Sequence, residues 1–183
     1  MYAVYILFFS TLQVTFPQAF SFRGQVADYM LVFVILSGYF FGKTDGAVVG
    51  LIMGVFRDIL AGEHLGLGMM FLLYAGLMSA ILFSKRFHRK LILAFLQVFI
   101  ITLCYKVVGH LIYYVVPLML EHDTVYFTFR HIVFDSVAPQ LLLNLLVSIP
   151  LALLLKYLGP YNHGIKQEED EQNPEKEGLW LRR

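Results

Sequence analysis

Five ionisable residues interrupt otherwise apolar sequence: Asp28, Arg57, Asp58, Lys106 and Asp135. A charge inside lipid costs about 2.5–3.5 kcal/mol at mid-span on insertion scales, so such residues face a bundle interior and find partners. Two kinds of chemistry are open to them. Asp58 and Asp135 could share one proton as a pair of acids, but Arg57 and Lys106 nearby argue for ion pairing instead. The expectation is a pair between Lys106 and either Asp58 or Asp135. Other reactive arrangements are poor. HExxH, GxSxG and Walker A patterns are absent from the sequence. Cys104 and His110 lie on different faces of a helix, which does not suit a nucleophile and its base. Cys104 is the only cysteine, which excludes an intrachain disulfide and any multi-cysteine metal site. The chain reads as a non-enzyme with no metal and no cofactor.

Asp58 also belongs to a pattern. Gly46, Gly50, Gly54, Asp58 and Gly62 recur every fourth residue, and Gly66 follows. Residues four apart share one helix face. The stripe is therefore bare of side chains until it meets a carboxylate, and small stripes let helices approach closely. The spacing does not say whether the approaching helix belongs to this chain or to another. A second stripe, Ser136, Gln140, Asn144 and Ser148, is polar. Its amides and hydroxyls can hydrogen-bond a neighbouring helix, either within the bundle or in a docked membrane partner.

The elements that must carry these residues are membrane helices. Of 183 residues, 58% are hydrophobic, and the mean hydropathy is +0.69. Apolar runs cover about 2–22, 27–42, 46–61, 65–84, 91–120 and 131–158, separated by short polar loops. The fold class expected is all-α and integral to a membrane, a bundle of about six transmembrane helices spanning 1–158. The second and third runs are short for a span, which needs roughly 20 residues. Pro17 kinks or ends the first helix, and Pro139 and Pro150 bend the last. The segment 159–183 is strongly acidic over 166–177 and reads as a disordered cytoplasmic tail. The formal net charge of +1 gives no case for nucleic-acid binding.

Six spans put both termini on one side. Lys43, Lys85, Arg86, Arg89 and Lys90 fall in loops on that side, against Arg23 and Arg130 on the other. The positive-inside rule then places both termini in the cytoplasm. The cluster Lys85, Arg86, Arg89 and Lys90 is a topology determinant or a holder of anionic lipid head groups. Asp28, Arg57, Asp58, Lys106 and Asp135 all fall in the outer half.

Asp28 at the start of the second helix, the Gly46–Gly50–Gly54–Asp58 series, Gly62 and the Leu65-Gly66 pair resemble the rod shape-determining protein MreD family. The similarity is sharpest over 24–80 and extends by span number to about 158. The family often has Pro before its second-helix Asp, where this chain has Ala27. The resemblance implies a bacterial cell-membrane scaffold of the cell-elongation machinery, supporting lateral peptidoglycan synthesis and rod shape. It implies MreC as the partner, bound through helix–helix contacts, with RodA, a class B penicillin-binding protein and MreB as further associates. It implies a fold like the substrate-binding S component of energy-coupling-factor vitamin transporters. That fold leaves a second function open: a solute-binding S component, with Asp28, Arg57, Asp58 and Asp135 lining an outward pocket.

Overall fold

The computed structural model describes residues 2–15, 21–62, 66–82, 91–119 and 132–158. Among them are six α-helices: α1 (Tyr2–Thr15), α2 (Tyr29–Phe41), α3 (Lys43–Ala61), α4 (Leu67–Leu82), α5 (Leu91–Met119) and α6 (Ala138–Leu158). A π-helical turn, Ile132–Val137, leads into α6. It lies just before Pro139, which has no N–H to give the preceding turn. Between α1 and α2 the chain forms a two-stranded antiparallel hairpin, β1 (Ser21–Phe22) and β2 (Gln25–Val26). The sequence reading expected only a short turn here. Arg23 and Gly24 both adopt positive φ, 51° and 75°, the requirement of the commonest two-residue hairpin turn.

Helix α2 is the axis of the fold. Its sequence, YMLVFVILSGYFF, is apolar on every side, and Tyr29 through Tyr39 are all buried. A helix apolar all round must be covered all round. Helices α1, α3, α4, α5 and α6 each pack on α2 and cover it. At 13 residues α2 is about 20 Å long, well short of a hydrocarbon core of about 30 Å. Enclosure by the other helices removes the need to match that thickness.

The surrounding helices turn large apolar side chains outward. Leu7 and Phe8 on α1, Val48 on α3, Met78 on α4, Ile92 on α5 and Leu142 on α6 are each at least half exposed. Apolar exposure on every peripheral helix suits lipid contact. Among the described residues, two segments are long and apolar enough to cross a membrane, Leu91–Ile112 and Phe134–Tyr157. Helices α1, α2 and α4 are apolar but shorter. Helix α3 is longer than the apolar run, because Lys43, Thr44 and Asp45, expected as a turn, form its first turn. Asp45 there suits the positive end of the helix dipole. A single residue, Gly42 at φ 97°, joins α2 to α3.

The glycine stripe settles against α4 of the same chain. Gly46 meets Gly76, Gly50 meets Leu72, and Gly54 meets Gly68 and Met69. Each four-residue step along α3 is a four-residue step backwards along α4, so the two run antiparallel in one register. A methyl at Gly46 would lie 2.6 Å from the Gly38 Cα and 2.7 Å from the Gly76 carbonyl oxygen. Gly38, Gly46 and Gly76 thus let α2, α3 and α4 meet backbone to backbone. The stripe is a seam inside this chain, which closes the possibility of an open groove along it. Gly62 and Gly66 are not part of the seam. They have φ of 64° and 126°, and nothing lies within contact of a Cβ at either. They shape the turn between α3 and α4.

Candidate functional site

The up-and-down course of the helices brings most of the polar side chains named above to one end, that of the hairpin. Asp28 precedes α2 and does three things there. Its Oδ1 accepts the Leu31 N–H at 3.0 Å, capping the helix. Its Oδ2 accepts Arg57 Nη1 at 2.7 Å. Its backbone N–H donates to Asn144 Oδ1 at 2.9 Å, while Asn144 Nδ2 donates to Thr102 at 3.3 Å. One buried cluster therefore ties α2, α3, α5 and α6. Gln13 of α1 joins from the other side, accepting the Tyr29 N–H at 2.8 Å and donating to the Ala27 carbonyl at 3.3 Å. The Arg57 guanidinium also lies over the Tyr105 ring, 5.3 Å from its centre.

Asp58 is buried and faces away from these groups, towards α4. Its carboxylate accepts three backbone N–H groups: Gly66 at 2.7 Å, Gly68 at 2.8 Å and Met69 at 3.2 Å. The first N–H groups of a helix have no partner within it. Asp58 supplies those partners from the end of α3, and its charge suits the positive end of the α4 dipole. The arrangement demands Gly68, since a Cβ there would overlap the carboxylate.

The expected pairing of Lys106 is overturned. Lys106 Nζ donates to the neutral Gln25 amide at 3.1 Å, and no described carboxylate lies within ion-pair distance. The α4 terminus has taken Asp58. Asp135 is not buried: about half of its side chain is exposed, and it lies 3.8 Å from Arg23 of the hairpin. With Asp28 committed to the start of α2 and to Arg57, and Asp58 to the start of α4, the arrangement is that of a structural lock. The proton-sharing acid pair has no counterpart here, because Asp58 and Asp135 are engaged with separate partners.

The polar stripe of the last helix packs inward. Gln140, Asn144 and Ser148 are buried. Ser148 donates to the Leu145 carbonyl at 2.7 Å, and Asn144 holds the cluster above. Ser136 sits apart, half-buried, in the π-helical turn. At the opposite end a neutral polar set does related work: Gln97 donates to Ser79, and Ser79 to the Ile35 carbonyl, joining α5, α4 and α2. Sequence reasoning did not single out Tyr105, Thr102, Gly68 or the Ser79–Gln97 pair for a role. Lys85, Arg86, Arg89 and Lys90, and the segment 159–183, lie outside the described residues.

A second feature is apolar. Around α2, α1 packs on α3, α3 on α4, α4 on α5, and α5 on α6. Contact between α6 and α1 is marginal at most. A cleft of about 260 Å³ lies there, walled by Phe8, Phe9 and Leu12 of α1 and by Leu146, Pro150 and Leu154 of α6, with Tyr29 at its floor.

Among known proteins, the family model described as rod shape-determining protein MreD matches residues 1–159. No curated protein and no solved structure matches the chain.

Proposed function

The chain belongs to the MreD family of rod shape-determining proteins, and from that premise we propose that it is a non-enzymatic membrane scaffold of the cell-elongation complex that binds MreC by helix–helix contact. Membership carries the role in rod shape and the association with the membrane. In this proposal the helices form a six-span bundle in the bacterial cell membrane with both termini cytoplasmic, so the hairpin end faces outward. RodA, a class B penicillin-binding protein and MreB act in the same complex, which supports lateral peptidoglycan synthesis.

The observation that carries the docking face is the incomplete ring around α2. The glycine seam is filled by α4 and the polar stripe by the chain's own helices. Among the helices around α2, α1 and α6 are neighbours that barely touch, and the cleft lies between them. The chain's own helices leave it unfilled, and a helix whose side chains fit its shape can gain the van der Waals packing that drives association in lipid. The MreC membrane helix would lie along it. The solute-binding alternative needs the outer charges to line a pocket, and Asp28, Arg57 and Asp58 are instead spent on one another and on helix ends.

Photo-crosslinking in native membranes tests the reading. A photoreactive residue at Leu146 should capture MreC, and one at Met78 of α4 should not. Both positions are about half exposed, so exposure to lipid is matched. Equal capture at both, or none at Leu146, counts against the cleft.

A further inference from the structure

Among the described residues, Lys106 stands apart from the other charges at the hairpin end. Arg57 has Asp28, Arg23 has Asp135, and Asp58 has the α4 terminus. Lys106 has the neutral Gln25 amide. An ammonium carries three donors, and Gln25 takes one of them. Arg57 and Asp28 are both close enough to act on Lys106 electrostatically, but Asp28 is already bound by Arg57 at 2.7 Å.

Its surroundings are those of a lipid boundary. Lys106 is half-buried, and its neighbours on α5, Leu103, Val107, Val108 and Leu111, are all exposed. Its ammonium reaches Gln25 of the hairpin, at the end of the bundle where α1 stops and α2 starts. A lysine there buries its stem along apolar surface and raises its ammonium towards the head groups. A dissolved anion would have to cross apolar surface to reach it, whereas a lipid phosphate arrives with acyl chains suited to the exposed side chains beside it.

We propose that Lys106 holds the phosphate of an anionic phospholipid in the outer leaflet, whose chains lie along the exposed face of α5. The leaflet rests on the orientation proposed above. The binding itself does not, because it can be read in detergent.

The test is native mass spectrometry of the purified full-length protein titrated with phosphatidylglycerol or with phosphatidylcholine of matched chains. The wild type should retain phosphatidylglycerol in preference. Lys106→Gln should weaken that retention about fivefold, the worth of one basic residue at an anionic surface. Lys106→Arg and Lys156→Gln, the latter at the opposite end of the bundle, should keep it. Equal retention of the two lipids by the wild type overturns the proposal, and this arm needs no variant to fold. Unchanged retention in a folded Lys106→Gln overturns it as well. Full displacement by millimolar inorganic phosphate would do the same, by showing a site for a free anion. None of these outcomes bears on whether MreC crosslinks at Leu146, so the two readings fail separately.

Discussion

Two helix contacts beside α2 are built in opposite ways. Along α3 and α4 the facing residues are Gly46, Gly50, Gly54, Gly68 and Gly76, and backbone lies on backbone. Between α1 and α6 the facing residues are Phe8, Phe9, Leu12, Leu146 and Leu154, and a cleft remains. In water the bulky pair would be expected to close, since burying apolar surface drives contact. In lipid that drive is missing, and close packing with satisfied polar groups holds helices together. The seam has both: glycines for closeness, and Asp58 at its end to bind the start of α4. The cleft has neither. A stripe of small residues therefore need not mark where a partner docks, because its own chain can fill it.

The sharpest way to break the seam is Gly50→Leu. A Cβ at Gly50 already meets the Leu72 backbone, with its carbonyl carbon 2.9 Å away, and a backbone cannot rotate aside as a side chain can. The expected cost is at or above about 3 kcal/mol, the upper part of the range for overpacked cores. Thermal unfolding of the purified protein in detergent should show the loss, or the variant should fail to accumulate in membranes. Val48→Leu, on the exposed face of the same helix, should change neither. A Gly50→Leu protein with wild-type stability would mean that α3 and α4 are not in backbone contact.

Asp58→Ala probes the end of the same seam with a smaller expected effect. It leaves the N–H groups of Gly66, Gly68 and Met69 without their acceptor. An unsatisfied buried donor costs about 1–3 kcal/mol, and the first turn of α4 should open more often. Hydrogen exchange over residues 66–70 should speed up, with the rest of α4 changed least. Asp58→Asn keeps an acceptor oxygen and should lie between Ala and the wild type. Unaltered exchange at Gly68 and Met69 in the Ala variant would remove Asp58 as the cap.

These predictions differ from what the residues alone led to, and the reason is rotational. The alternation of helix directions was enough to gather Asp28, Arg57 and Asp58 at one end. It could not choose partners, because adjacent residues on a helix point about 100° apart. That angle sends Arg57 to α2 and Asp58 to α4. The fourfold spacing of Gly46, Gly50 and Gly54 identified a face but not its occupant. A signal for the occupant was present: Gly68 and Gly76 are separated by eight residues, as Gly46 and Gly54 are. Matching those intervals in antiparallel register yields the seam. The hairpin was not visible because its strands are two residues long, too short for any alternation of side chains. The cleft was invisible for a different reason. It is a gap between helices far apart in sequence, and every residue lining it is apolar, like most of the chain.

The cleft should give the smallest effect on the folded chain and a distinct one on assembly. Leu146 is 55% exposed, so Leu146→Ala removes few internal contacts and should alter stability by no more than about 0.5 kcal/mol. The same substitution takes bulk from the wall on which the proposed partner helix packs. Retention of MreC on affinity-purified protein should therefore fall while the unfolding temperature stays in place. Seam variants should behave the other way, losing stability first and partner only as a consequence. If Leu146→Ala destabilised the isolated chain as much as Asp58→Ala does, the cleft would be a closed internal contact and not a face left open, and the contrast with the seam would disappear.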